Sequence, residues 1–169
     1  AGPTYADISL TYLSDDGKIK ATYTHMEFPQ VDENRTYYEM EYEVLEDVSF
    51  KDFAKDFSFY AVRAINSNYT KVGYLNENNQ PTIVNTGAPG TETLYKLGDE
   101  YPYFDMFYIP DIKNATTEGK YVNVSFIVKD YSIVIGGEKS DVALAIIEEK
   151  NKMSLTLDVS KVTFMAGDS

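Results

Sequence analysis

The chain has 169 residues, 43% of them apolar, with no cysteine, no tryptophan and a net charge of −12. That length fits one domain able to bury about two-thirds of its unfolded surface, and the apolar content excludes wholesale disorder. The acidity lies toward the front, with thirteen acids against five bases in residues 1–60, and the only arginines are Arg35 and Arg63. With no basic cluster to meet phosphates, a nucleic-acid partner is excluded, and so is an anionic membrane surface.

No apolar run approaches the ~20 residues of a membrane span, so no membrane insertion is expected within this segment. The start, AGPTYADISL, carries no basic-then-apolar leader and reads as a mature or trimmed N-terminus. Without cysteine there is no disulfide framework, thiolate metal site or thiol nucleophile.

Taken in chain order, ADISLTYL alternates with Ile8, Leu10 and Tyr12 on one parity. The turn signal Asp16-Gly17 then leads into KIKATYTHMEF, which predicts an antiparallel hairpin. His25, the only histidine, shares the parity of Ile19, Ala21 and Tyr23 and is expected as a partly buried strand residue rather than a general base. TYYEMEYEVL is the clearest half-buried strand: Tyr38, Met40, Tyr42 and Val44 face one way, and Glu39, Glu41 and Glu43 the other.

SFKDFAKDF has the one helical turn, with Ser49 as its cap and Phe50, Phe53, Ala54 and Phe57 at helical spacing. FSFYAVRAI and YTKVGYL read as strands. Residues 76–92, dense in Asn, Pro and Gly, are expected as a long exposed loop with at most a short strand at Thr82–Val84. KYVNVSFIVKDY turns Val122, Val124, Phe126 and Val128 inward, so Tyr42 and Phe126 are expected core residues. SDVALAIIEEKNK fits a strand or a short helix and is read as a strand, paired with residues 153–159 through a turn at Lys150–Lys152; MSLTLDVSKVTF turns Met153, Leu155, Leu157 and Val159 inward and bulges near Ser160.

The stretch LYKLGDEYPYFDMFYIP, residues 94–110, carries six aromatic rings. Both parities of its second half are apolar, which suits a strand buried on two sides or an edge strand fenced by Pro102 and Pro110. The functional alternative is a sugar- or peptide-binding face made of Tyr95, Tyr101, Tyr103 and Tyr108. The absence of tryptophan favours the core reading, and these four tyrosines are the candidate ligand-binding residues.

No catalytic residues are assigned. Adjacent acids such as Asp15-Asp16, Asp32-Glu33, Asp99-Glu100 and Glu148-Glu149 suit solvated hairpin ends, and no calcium-loop pattern joins them, so neither cofactor nor metal is expected. GEKSD lacks the spacing of a phosphate loop. Asn34, Asn68, Asn114 and Asn123 open glycosylation sequons.

About nine strands separated by turn signals predict an all-β fold, an immunoglobulin-like antiparallel β-sandwich with one short helical turn. It is expected as a single domain over 1–169, with 138–165 as an added C-terminal hairpin. ENRTYYEMEYEV, KDFAKDFSFYAV and the run to ETLYKLGDEYPYFDMFYIP, with Leu94, Leu97-Gly98-Asp99-Glu100 and Ile109-Pro110, are similar to a family of extracellular immunoglobulin-like domains. That family occurs in bacterial surface lipoproteins and is related to the telokin-like, immunoprotective-antigen type of sandwich. The resemblance spans roughly residues 6–130 and departs at the 76–92 loop and at 138–165. It implies an exported, cell-surface binding or spacer domain contacting protein or glycan, with no catalytic residues. The alternative is a structural subunit of a surface filament or fimbria that exchanges strands.

Overall fold

The computed structural model describes residues 6–28, 36–63, 71–87, 90–100, 102–107, 124–149 and 152–169. In chain order the first elements are β1 (Ala6–Leu13), β2 (Ile19–Glu27), β3 (Thr36–Val44), β4 (Val48–Phe50), α1 (Phe53–Asp56), β5 (Tyr60–Arg63), β6 (Lys71–Leu75) and β7 (Pro81–Asn85). They are followed by β8 (Glu92–Lys96), β9 (Tyr103–Phe107), β10 (Val124–Ile127), β11 (Val134–Ile135), β12 (Glu138–Lys139), β13 (Leu144–Glu149), β14 (Lys152–Leu157) and β15 (Val162–Phe164). Antiparallel strands dominate, and the four-residue α1 is the one helix among the described residues.

The chain divides into two compact units. The first comprises Ala1–Ser49, Ser132–Ser140 and Val162–Ser169, and the second Phe50–Tyr131 and Asp141–Lys161. In the first, β1, β2 and β3 form a three-stranded sheet in that order. The β1–β2 hairpin closes as Asp16-Gly17 predicts: the Gly17 N–H donates to the Ser14 carbonyl at 2.8 Å, and Gly17 has φ +73°, which glycine adopts without steric cost. The Ser14 hydroxyl oxygen also accepts the Lys18 and Ile19 amides. Ile19 pairs with Val44 across β2–β3, and both are buried, as are Ile133, Val162 and Phe164. The carboxylate of Asp168, also buried, accepts the Gly136, Gly137 and Met165 amides and joins the β11–β12 turn to the C-terminal end.

The second unit holds two four-stranded sheets, β5-β14-β13-β8 and β10-β9-β6-β7. β13 and β14, which lie in the segment expected as an added hairpin, are the two inner strands of the first of these and pair from Leu144↔Leu157 to Glu149↔Lys152. Ring contacts link the two sheets: Tyr60 of β5 meets Phe126 of β10 at 5.1 Å, and Tyr74 of β6 meets Tyr95 of β8 at 5.0 Å. Phe126 stacks in turn on the buried Phe104 of β9.

Several local expectations are corrected. Ser49 does not cap α1. Asp52 holds that position without a side-chain capping bond, while the Ser49 hydroxyl bonds the Thr163 hydroxyl at 2.9 Å. The short helix exists because Phe53, fully buried, nests among Phe50, Phe57 and Phe59. The short strand expected at Thr82–Val84 is present as β7, but the described residues of 76–92 do not otherwise form one long loop. β6 and β7 form a hairpin closed at Asn76–Gln80, where Asn79 takes φ +57°, a conformation asparagine tolerates.

Residues 153–164 are not one bulged strand either, since β14 ends at Leu157 and β15 starts at Val162. On β14, Ser154 and Thr156 are buried along with Met153, Leu155 and Leu157. Its second face is covered by the α1 region, where the Thr156 hydroxyl donates to the Phe57 carbonyl at 3.1 Å and the Phe59 amide donates to the Leu155 carbonyl. Tyr42 and Phe126, expected in the core, are half-buried.

Candidate functional site

The tyrosines singled out from the sequence lie on two sheets. Tyr95 is half-buried on β8 against the Tyr74 ring, and Tyr103 is half-buried on β9, paired with Ile127. Tyr101 and Tyr108 fall outside the described residues, as do the sequon asparagines Asn34, Asn68, Asn114 and Asn123. Burial first, and then the nearby negative charge of Glu148, raise the Tyr95 hydroxyl above the ordinary phenol value, against an opposing hydrogen bond with Thr93.

Glu148 is the most enclosed acid of this region. Its Oε2 accepts the Gly87 amide at 3.0 Å, and its Oε1 takes no hydrogen bond. Among the described residues no three His, Cys, Asp or Glu side chains gather around a common point.

His25 sits in the first unit, stacked on Tyr38 at 4.8 Å, with Nε2 3.2 Å from the Glu27 carboxylate. Its register partners are Ile8 and Tyr38, so its strand neighbours are an aliphatic chain and an aromatic ring.

The β1–β2–β3 sheet separates its chemistry by face. Directly opposed residues project to the same side of an antiparallel pair, so the registers Ile8–His25–Tyr38, Leu10–Tyr23–Met40 and Tyr12–Ala21–Tyr42 define one apolar, aromatic face. Tyr12 and Tyr23 meet edge-on at 6.1 Å, Tyr23 and Tyr42 at 5.9 Å, and the Tyr23 and Tyr42 hydroxyls bond at 2.7 Å. The opposite face is mainly polar, with Leu13, Met26 and Tyr37 at its two ends. Ser9 bonds Thr24, Thr11 bonds Thr22, Lys20 pairs with Glu43 at 2.6 Å, and Glu39 and Glu41 lie alongside.

The alternation was legible in the sequence, but the exposure was not. Ile8, Leu10 and Tyr12, expected inward, are 61%, 50% and 54% exposed, and Tyr38 is 38% exposed. All eight residues of β1 are exposed. A contiguous apolar strip open to water is uncommon on a folded domain and marks an interaction surface. It is the candidate functional surface of the chain, and sequence reasoning missed it because alternation shows which side is apolar and not whether anything lies over it.

Comparison with family models, curated proteins and solved structures finds no match to this chain.

Proposed function

We propose that the chain is a non-catalytic binding or spacer domain of an exported, cell-surface protein, contacting protein or glycan. In this reading the paired sheets of the second unit form an immunoglobulin-like sandwich of the kind found in bacterial surface lipoproteins, supported by the Tyr60–Phe126 and Tyr74–Tyr95 ring contacts. The observation that carries the functional part is the open strip of Ile8, Leu10 and Tyr12. Tyrosine rings with one apolar side and a hydroxyl at the rim suit both peptide and sugar contacts.

The test is to probe immobilised glycan and protein arrays with the wild-type chain and with Ile8→Ser/Leu10→Ser/Tyr12→Ser. Binding by the wild type and its loss in the folded triple variant is the expected result. Equal binding by both, or turnover of an arrayed substrate, would sink the reading.

One observation favours a second reading, a filament subunit that exchanges strands. Among the described residues β1 pairs on one side only, over eight unbroken residues that include no Pro or Lys and one charge, Asp7. Natural edge strands usually carry such guards.

A further inference from the structure

We infer that one buried water sits inside the second unit, held by Glu148 Oε1 together with the hydroxyls of Thr93 and Tyr95. Glu148 has no surface open to solvent. Its two carboxylate oxygens stand differently: Oε2 accepts the Gly87 amide at 3.0 Å, and Oε1 has no hydrogen-bond partner among the described residues. A carboxylate oxygen withdrawn from solvent and given no donor carries the full penalty of its desolvation. Native folds meet such an atom with a protein donor, a cation or an ordered water.

The strands around Glu148 select among these. Its directly opposed residues are Thr93 on β8 and Met153 on β14, and the next register on the same face is Tyr95–Ile146–Leu155. That face looks toward the other sheet, where the Tyr74 ring meets Tyr95 at 5.0 Å. Lys96, opposite Ala145, and Lys152, opposite Glu149, have the other parity and point away from it. Both are engaged elsewhere, Lys96 with Glu77 and Asp158 and Lys152 with Glu149. A divalent ion asks for several oxygen ligands, and among the described residues no three His, Cys, Asp or Glu side chains converge. A sugar or a peptide would need the carboxylate open to solvent, and it is enclosed.

Water fits the groups that are present. An enclosed water is held by about two to four polar partners. Glu148 Oε1 accepts one of its hydrogens, and Thr93 and Tyr95, on the same face of the neighbouring strand, offer hydroxyls that both donate and accept. The two hydroxyls already belong together, since Tyr95 hydrogen-bonds Thr93, and the negative charge of Glu148 reaches Tyr95. The Gly87 amide fixes Oε2, so the carboxylate cannot turn to share that single donor between its oxygens. Thr93 and Tyr95 are half-buried on β8, which pairs only with β13 among the described residues, so the rim of the sheet gives water a way in. Once seated, the water links Gly87, Glu148, Thr93 and Tyr95 into one chain that ties the β7–β8 connection to β13. The site is independent of the strip on β1–β2–β3.

The experiment is a high-resolution crystal structure of the chain, paired with magnetic relaxation dispersion of water oxygen, which counts long-lived internal waters in solution. The wild type is expected to show one ordered water within about 3.2 Å of Glu148 Oε1 and of the Thr93 or Tyr95 hydroxyl. Glu148→Met, which fills a similar space and offers no strong acceptor, should lower the solution count by a single water. An Oε1 that meets a protein donor directly, or that has no water beside it in the electron density, would overturn the inference. So would a count that stays the same in folded Glu148→Met. Should that variant not fold, the wild-type electron density decides alone.

Discussion

The Asp168 carboxylate holds the Gly136 amide at 2.6 Å across thirty-two residues of chain, and its second oxygen takes the Gly137 amide at 2.8 Å. With the Met165 amide also bound to it, the turn at Met165–Asp168 is fixed to the β11–β12 hairpin by one side chain. The Asp168 carbonyl extends the attachment by accepting the Val44 amide at 2.9 Å.

Burial of Asp168 works against its charge, but the Met165, Gly137 and Gly136 amides outweigh that cost and hold the carboxyl below its ordinary value of 3.8. A carboxyl depressed in the folded state contributes stability that is fully present above the unfolded value and is lost as pH falls through the folded one. Asp168→Asn should therefore cost about 3 kcal/mol at neutral pH, the scale of a lost set of charge-assisted bonds. The difference between wild type and variant should shrink only below pH 3.8. Urea unfolding of both proteins from neutral pH down to strong acid checks this. A difference that fades well above the ordinary carboxyl value would mean that Asp168 is not held ionised by these amides.

Gly98 is placed where a side chain has no room. A Cβ there would lie 2.7 Å from the Asn76 carbonyl and closer still to the Asn79 side chain, because the Gly98 amide donates to the Leu75 carbonyl beside the β6–β7 turn. Asn79 is itself tied to the Asp99 carboxylate at 3.1 Å and to the Glu100 amide, so it cannot swing aside freely. Gly98→Ala is expected to cost about 2 kcal/mol by overpacking. Gly87→Ala should cost less, since its nearest obstacle, at 2.6 Å, is the Thr91 hydroxyl at the end of a side chain. Thermal unfolding of the two variants ranks them, and equal losses would show that the Asn76 backbone yields as readily as a rotamer does.

How much of this was legible follows from what kind of signal each feature left. Asp16-Gly17 announced its turn because the positive φ needed there favours glycine. The Glu39, Glu41, Glu43 alternation fixed a face because a one-residue slip would have moved three carboxylates onto the aromatic side of the sheet. Ser154 and Thr156 misled because small hydroxyl residues read as outward, whereas Thr156 is buried with its hydroxyl bonded to Phe57, ninety-nine residues away. Asn76 and Asn79 suggested an open loop, yet they form a compact turn: the Asn76 side-chain oxygen accepts the Asn78 and Gln80 amides. Asp168 left no local mark, since its partners at Gly136 and Gly137 come together only in the fold. Tyr95 was identified by composition alone, and the contact that gives it an environment, Tyr74, lies on another sheet.

The Tyr23–Tyr42 pair offers a last test, because it joins the strip to its own stability. Burial first, and then the hydrogen bond with Tyr23, raise the Tyr42 hydroxyl far above its ordinary value of 10.0. Tyr42 therefore stays neutral through alkaline conditions that ionise it in the unfolded chain. A group whose folded value is raised contributes stability that is intact below the unfolded value and declines as pH rises above it. Tyr42→Phe keeps the edge-on ring contact at 5.9 Å and removes the 2.7 Å bond. It should cost about 1 kcal/mol at neutral pH. Because phenylalanine cannot ionise in the unfolded chain, the wild type's advantage should narrow once pH passes 10.0. Paired denaturant titrations at neutral pH and at ~pH 11 measure the change. A gap that stays constant would mean that the hydroxyl titrates alike in both states and that the Tyr23 bond does not enclose it.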